Sequence, residues 1–369
     1  MSGAAPARST TTTAAAAFRR GVWNRNPLLL LAAVALAFVL LAGLELAVSD
    51  GAASRLPVAR FLRTDTDDAG FVSWQVAALQ RHPPGGAVVY LVGGSNVREC
   101  IPSPQSLAAA LQQTTGRRTA VYDLGGNNQD LAESLAVVDS LPATPGAVVV
   151  VSINQTRLAY TPDQLAQEAK GRELVLSSPT LRAFVHSHAG ARLWPLPIVP
   201  GIMSYAASYV QQNGSSLLHL HLADHPYQRH RYTQTTLMSV RGKRRKVELW
   251  LTGKGRPGGQ FDRCEAYNAA LLEAIVRRAR ERGFTVALME PPENAAIVRS
   301  SFDRFKAVYR PLCRSLAARY GGAYLHFGRR LDLVNTDFRD ITHLVETGRL
   351  KWQAALARAL SPLLQRGAS

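Results

Sequence analysis

The chain has little of what metal centres and disulfide scaffolds are made from. Three cysteines, Cys100, Cys264 and Cys313, are scattered through 369 residues with no CxxC pair. That spacing excludes a cysteine-based zinc site and a disulfide framework, and an odd number leaves at least one thiol unpaired within the chain. They read as small buried apolar residues. Acidic residues are also scarce: 26 Asp and Glu stand against 43 Lys and Arg, a formal charge of +17 carried mostly by arginine. Such an excess points to an anionic partner, whether a membrane surface, a polyanionic polysaccharide or nucleic acid. A phosphate loop is absent. The run Gly125-Gly126-Asn127-Asn128-Gln129-Asp130 has no lysine and fits neither the dinucleotide nor the P-loop spacing. His219, His221 and His225 sit close together, but no Cys or Glu completes a ligand set, so the expectation is no metal and no cofactor. There is no internal repeat, and an apolar content of 47% provides ample core.

One stretch is almost without charge. Pro27 to Val48 contains a single ionisable residue, Glu45, near its end, and shows no polar stripe. At 1.5 Å per residue it matches a hydrocarbon core of roughly 30 Å. A cleaved signal peptide would have a shorter apolar region and a clean small-residue cleavage site after it. The expectation is one uncleaved transmembrane helix at 27–48. Arg19, Arg20 and Arg25 before it favour a cytoplasmic N-terminus, and Arg55, Arg60 and Arg63 after it weaken that bias. Residues 1–26, rich in Ala, Thr and Ser, then form a disordered cytoplasmic tail, 49–86 a stalk with a short helix, and the remainder an extracytoplasmic, periplasmic domain. This placement removes nucleic acid from the expected partners and keeps the membrane and a polysaccharide.

From Ala87 the chain alternates strand and helix patterns. Apolar runs at 88–92, 120–124, 146–154, 284–290 and 323–327 read as strands; 106–113, the stretch around Leu131, 264–282, 302–320 and the stretch after Gly348 read as helices. Continuous apolar strands are covered on both faces, so the pattern implies an α/β fold, a three-layer α/β/α sandwich with a parallel sheet. Residues 158–260 break the rhythm as an insertion, and Arg241–Lys246, "RGKRRK", reads there as a solvated loop. In such folds chemistry sits at the C-terminal ends of strands. Ser95 follows the first strand, Gly125–Asn128 the second and Asn154 the third. Serine catalysis also needs a base and a group that orients it, and Asp340 and His343 stand three residues apart ahead of the last helix. Asn96, Arg98 and Glu290 are further candidates to line the cleft.

In order and rough spacing these residues resemble the four blocks of the SGNH (GDSL-type) hydrolases. Gly93-Gly94-Ser95 stands for the first block, "VYDLGGNNQD" for the second, "VVVVSIN" for the third and "DITH" for the last. Gly94 replaces the usual aspartate, Asn128 occupies the usual glycine of the second block, and Ser152 and Gln155 replace residues of the third. The resemblance covers 87–365 apart from the insertion. It implies Ser95 as nucleophile, His343 as base and Asp340 as its orienter, with oxyanion donors from the Ser95 and Asn128 backbones and the Asn154 side chain. The anchor, Arg98, Pro291-Pro292 with Asn294, and the glycine-led last helix are similar to membrane-anchored envelope proteins of alginate-type O-acetylation and teichoic-acid D-alanylation. That likeness implies an O-acyltransferase or esterase acting on an envelope or secreted polysaccharide beside a multi-spanning membrane acyltransferase. The competing expectation is a non-catalytic SGNH-like assembly or polysaccharide-binding protein.

Overall fold

A computed structural model describes residues 27–49, 68–168, 178–189, 231–253 and 256–366, together with Leu176 and Arg229. The expected tail (1–26), residues 50–67 of the expected stalk, and His219, His221 and His225 lie outside the described residues. The first helix, α1 (Pro27–Ser49), forms where the apolar run predicts it. Its side chains are described over 28–43 only, and among the described residues no helix is long and apolar enough to cross a membrane.

The folded unit starts earlier than the strand pattern suggests. Helix α2 (Asp68–Arg81) buries Val72, Val76 and Leu79 in the main core, so 68–86 belongs to the domain rather than to a stalk. There follow β1 (Ala87–Gly94), the short helix α3 (Ser95–Arg98), α4 (Pro104–Thr115), β2 (Thr119–Gly126), α5 (Leu131–Ser140) and β3 (Val148–Ser152). The insertion contributes α6 (Pro162–Glu168), α7 (Pro179–Ala189) and α8 (Val240–Thr252). Then come α9 (Pro257–Glu281), β4 (Thr285–Met289), the short α10 (Ala295–Val298), α11 (Asp303–Arg319), β5 (Ala323–Leu325) and α12 (Glu346–Arg366).

The five strands form one parallel sheet in the order β2-β1-β3-β4-β5. Strand alternation divides its side chains between two cores. Val88, Tyr90 and Val92 pack with α2, α5, α9 and α11, while Val89 and Leu91 pack with Leu107 and Leu111 of α4 and Leu356 and Leu360 of α12. Both faces are therefore covered, which is why β1 and β3 read as unbroken apolar runs. The chain leaves β1 toward β2 on one side and reaches β3 on the other. The crevice outside the C-terminal ends of β1 and β3 is the topological switch point, where open α/β sheets hold their ligands. The three cysteines are buried and unpaired, as their spacing suggests.

Candidate active site

Two glycines end β1 for two different reasons. Gly93 has φ +146°, and a Cβ there would lie 2.7 Å from Ser152 Cβ on the neighbouring strand. Gly94 is extended, but a Cβ on it would overlap the Arg157 guanidinium at 1.7 Å. The chain then turns into α3 with Ser95 as its first residue. The first N–H groups of a helix have no intrahelical acceptor, and Ser95 N–H is the first of them in α3.

The loop that answers Ser95 from across the sheet is closed on itself. An isolated bridge joins Phe338 to Leu344, and Arg339 N–H donates to His343 O at 2.9 Å. Inside it Asp340 Oδ1 accepts the Thr342 and His343 N–H groups at 2.9 and 3.0 Å. This local turn is what a three-residue spacing makes possible, and it leaves Oδ2 for the ring. His343 Nδ1 lies 2.8 Å from Asp340 Oδ2, and His343 Nε2 lies 2.8 Å from Ser95 Oγ. Residues 248 positions apart thus form a continuous Ser–His–Asp relay. Asp340 has no solvent exposure, Ser95 is 9% exposed and the His343 ring 13%.

A buried carboxylate needs counter-charge. The "RGKRRK" run provides it, and this corrects the expectation of a solvated loop. Ser239 caps α8 by accepting the Gly242 N–H at 3.1 Å, and the helix buries Lys243, 1% exposed, beneath the site. Lys243 Nζ donates to Asn335 O, Asn335 Oδ1 and Phe338 O, which pins the base of the Asp340 loop. Lys246, one turn along, donates to Asp340 Oδ2 at 2.5 Å, and Arg339 Nη1 is 3.5 Å from the same oxygen. Burial alone would push the Asp340 carboxyl up; His343 and Lys246 outweigh it and hold it far below the usual carboxylate range. Tyr232, also from the insertion, lies edge-on to His343 with ring centroids 5.2 Å apart, beneath the Arg339 guanidinium.

The expected oxyanion residues Asn154 and Asn128 are each held in place by neighbours. Asn154 Oδ1 accepts both the N–H and the hydroxyl of Thr156, at 3.1 and 2.6 Å. This fixes the amide and leaves its two Nδ2–H donors for another partner. Asn128 has φ +56°, a left-handed conformation that Asn tolerates better than most residues. Its carbonyl accepts Arg157 Nη1 and the Tyr160 hydroxyl, each at 3.0 Å. Arg157 is 7% exposed, and it occupies the space that Gly94 leaves by having no side chain.

The remaining candidates are placed differently. Arg98 is 4% exposed and pairs with Asp68 (2.5 Å) and Glu99 (3.1 Å), so its charge is used inside the protein. Arg229 and Arg231 of the insertion join this network by pairing with Asp123, Arg229 also with Asp68, and Arg349 of α12 closes it on Glu99. Asn96 is buried with its Oδ1 unpartnered. Glu290, at the end of β4, binds Arg310 through both oxygens and accepts the Tyr309 and Tyr324 hydroxyls. Burial would raise the Glu290 carboxyl, but His326, Arg310 and Tyr324 bring it down to about 2. Sequence reasoning missed Lys243, Lys246, Arg157 and Tyr232. Only the two lysines left a signal, the apolar helical positions Val247, Trp250 and Leu251 that continue their face.

Among the described residues no group of three or more His, Cys, Asp or Glu is placed to hold a metal ion. No family model matches the chain, and no curated protein matches it.

Two outcomes follow from this geometry. Lys246→Met lowers the second-order rate of Ser95 sulfonylation by phenylmethylsulfonyl fluoride about tenfold, the effect of one charge-assisted hydrogen bond. Asp340→Asn lowers it by about 10⁴, because the ring loses its orienter. Equal rates in wild type and Lys246→Met would show that Lys246 does not act on the relay. The second concerns Glu290, whose folded pKa lies below its ordinary 4.5, so the stability it contributes is full above that value and drains as pH falls toward about 2. Glu290→Gln is less stable at pH 7, and its urea midpoint changes less than wild type between pH 4.5 and 2.

Proposed function

We propose that the chain is an SGNH-type serine acyl-transfer enzyme of the cell envelope, held at the membrane by α1, that moves an acyl group onto a polysaccharide hydroxyl through an acyl-Ser95 intermediate. The observation that carries this reading is the Ser95–His343–Asp340 relay, at 2.8 Å and 2.8 Å, standing at the switch point of a parallel sheet. Ser95 comes from the β1–α3 turn and Asp340 and His343 from one loop far along the chain, and both contacts have the geometry that proton transfer requires. The departures from the family's blocks are accommodated. Gly94 gives room to Arg157, and Asn128 adopts the left-handed backbone for which glycine is the usual choice.

In this mechanism Ser95 Oγ attacks the acyl carbonyl as His343 Nε2 takes its proton. Asp340 Oδ2, accepting from Nδ1, fixes the tautomer and stabilises the imidazolium. The developing oxyanion is met by the N–H groups of Ser95 and Asn128 and by Asn154 Nδ2. His343 returns its proton to the leaving group, the acyl ester on Ser95 remains, and a sugar hydroxyl then attacks it with His343 again as base. Water in place of the sugar gives the esterase reaction. A multi-spanning membrane acyltransferase is the proposed source of the acyl group. The anchor rests on α1, whose side chains from Leu28 to Leu41 are exposed and apolar throughout, a surface suited to lipid.

Full-length protein in detergent, mixed with p-nitrophenyl acetate, gains one acetyl group on Ser95 by intact-mass and peptide analysis. Ser95→Ala, which removes an atom bonded only to His343, loses about 10³-fold or more of the p-nitrophenol release with an unchanged melting temperature. Release at the wild-type rate by that variant contradicts the assignment.

A further inference from the structure

A cavity of about 720 Å³ opens beyond the ends of β4 and β5, between the start of α11 and the loop leading to α12. It borders the loop that carries the relay. A narrow pocket lined by Asn154, Gln155 and Thr342, the neighbour of His343, shares Glu290, Pro291 and Glu293 with it. Asn154 and the His343 loop therefore stand across the Pro291-Pro292 turn from the large cavity. Its size suits one or two sugar-sized units, within the range of ordinary ligand sites.

The charges in its wall decide what it can take. The chain carries +17, yet the acids here are Glu290, Glu293, Asp303 and Asp332 and the cations only Arg299, Lys306 and Arg310. Lys306 is held by Glu293 at 2.5 Å and Arg310 by Glu290 at 2.7 Å. Both cations are therefore neutralised within the wall, and a polyanion gains no net attraction. Paired ammonium, guanidinium and carboxylate groups do present donors and acceptors side by side, and hydroxyl groups, each both donor and acceptor, match that lining. Phe327 and Trp352 supply an apolar wall, packed edge to face with centroids 4.9 Å apart. The Trp352 indole Nε1 is buried, on a residue 3% exposed, and has no partner within the protein. An unpartnered buried donor in a cavity wall is a place for a ligand acceptor.

We infer that this cavity is the acceptor subsite, and that it binds an uncharged glycan segment through its hydroxyl groups rather than an acidic one. The word acceptor rests on the acyl-transfer reading; the binding does not. The basic surface elsewhere on the chain has no part in this recognition, and the cations nearest the relay hold the protein together.

The test uses the full-length protein in detergent and calorimetric titration with a fixed panel of hexasaccharides, neutral (maltohexaose, cellohexaose, mannohexaose, N-acetylchitohexaose) and acidic (hexagalacturonate). Ser300→Trp, at an exposed wall position, fills the cavity without touching the relay. The expected result is saturable binding of at least one neutral member, weakened tenfold or more by Ser300→Trp, while acetylation of Ser95 by p-nitrophenyl acetate stays within twofold of wild type. Tighter binding of hexagalacturonate than of every neutral member overturns the inference. So does binding of no member, or neutral binding that Ser300→Trp leaves unchanged. Absence of Ser95 acetylation in wild type fails the acyl-transfer reading alone and leaves the binding result standing.

Discussion

Asp340 is a fully buried carboxylate, and a buried charge either finds donors on every side or gives up its ionisation. Much of the architecture around the relay meets that constraint. Two backbone N–H groups from its own turn bind one oxygen, and His343, Lys246 and Arg339 surround the other. Ionised, Asp340 fixes which nitrogen of His343 carries the proton, and Nε2 is left free to act on Ser95. The constraint reaches further, because Lys246 requires α8 to lie against the loop, and Lys243 holds α8 there through Asn335 and Phe338. An insertion in sequence is therefore a structural part of the site.

The same principle explains where the arginines go. A chain with so many cations and few acids must still avoid burying unpaired charge. Below α3 it does so with a network in which Asp68, Glu99 and Asp123 each receive guanidinium groups from distant segments. This network ties α2, the β1–α3 turn, the insertion and α12 together under Ser95. Arg157 is the contrasting case, satisfied by the Asn128 carbonyl and the Tyr160 hydroxyl, and seated where a side chain at position 94 would be. Its position links the two departures from the SGNH pattern: a glycine where an aspartate is usual makes room for the guanidinium that holds the left-handed Asn128.

The strands were legible in the sequence because runs such as Val148–Val151 can only be buried on both faces. Ser95 and Asn154 stood out as polar residues where such strands end. Asp340 and His343, the histidine 248 positions beyond Ser95, were picked out by their three-residue spacing and by the resemblance to the SGNH blocks. Helices α4, α5, α9, α11 and α12 were readable from their own apolar patterns. What was not legible depends on long-range pairing. Lys246 meets Asp340 across 94 positions, and although the helical face of Val247, Trp250 and Leu251 sets Lys243 and Lys246 apart from the exposed Arg241, Arg244 and Arg245, nothing near "RGKRRK" names their partners. Arg98 looked available because it follows Ser95 by three residues; its partner Asp68 lies in a segment that reads as stalk. Glu290 likewise sits at a strand end, the usual place for function, but Tyr309, Arg310, Tyr324 and His326 enclose it.

The central claim is that Ser95 is a nucleophile activated by His343. The most direct measurement is to treat full-length protein in its native membranes with a fluorophosphonate and map the adduct by mass spectrometry, alongside His343→Ala. The expected result is one stoichiometric adduct, on Ser95, that is lost in His343→Ala. An adduct on another serine, or a Ser95 adduct formed equally fast without His343, would contradict it.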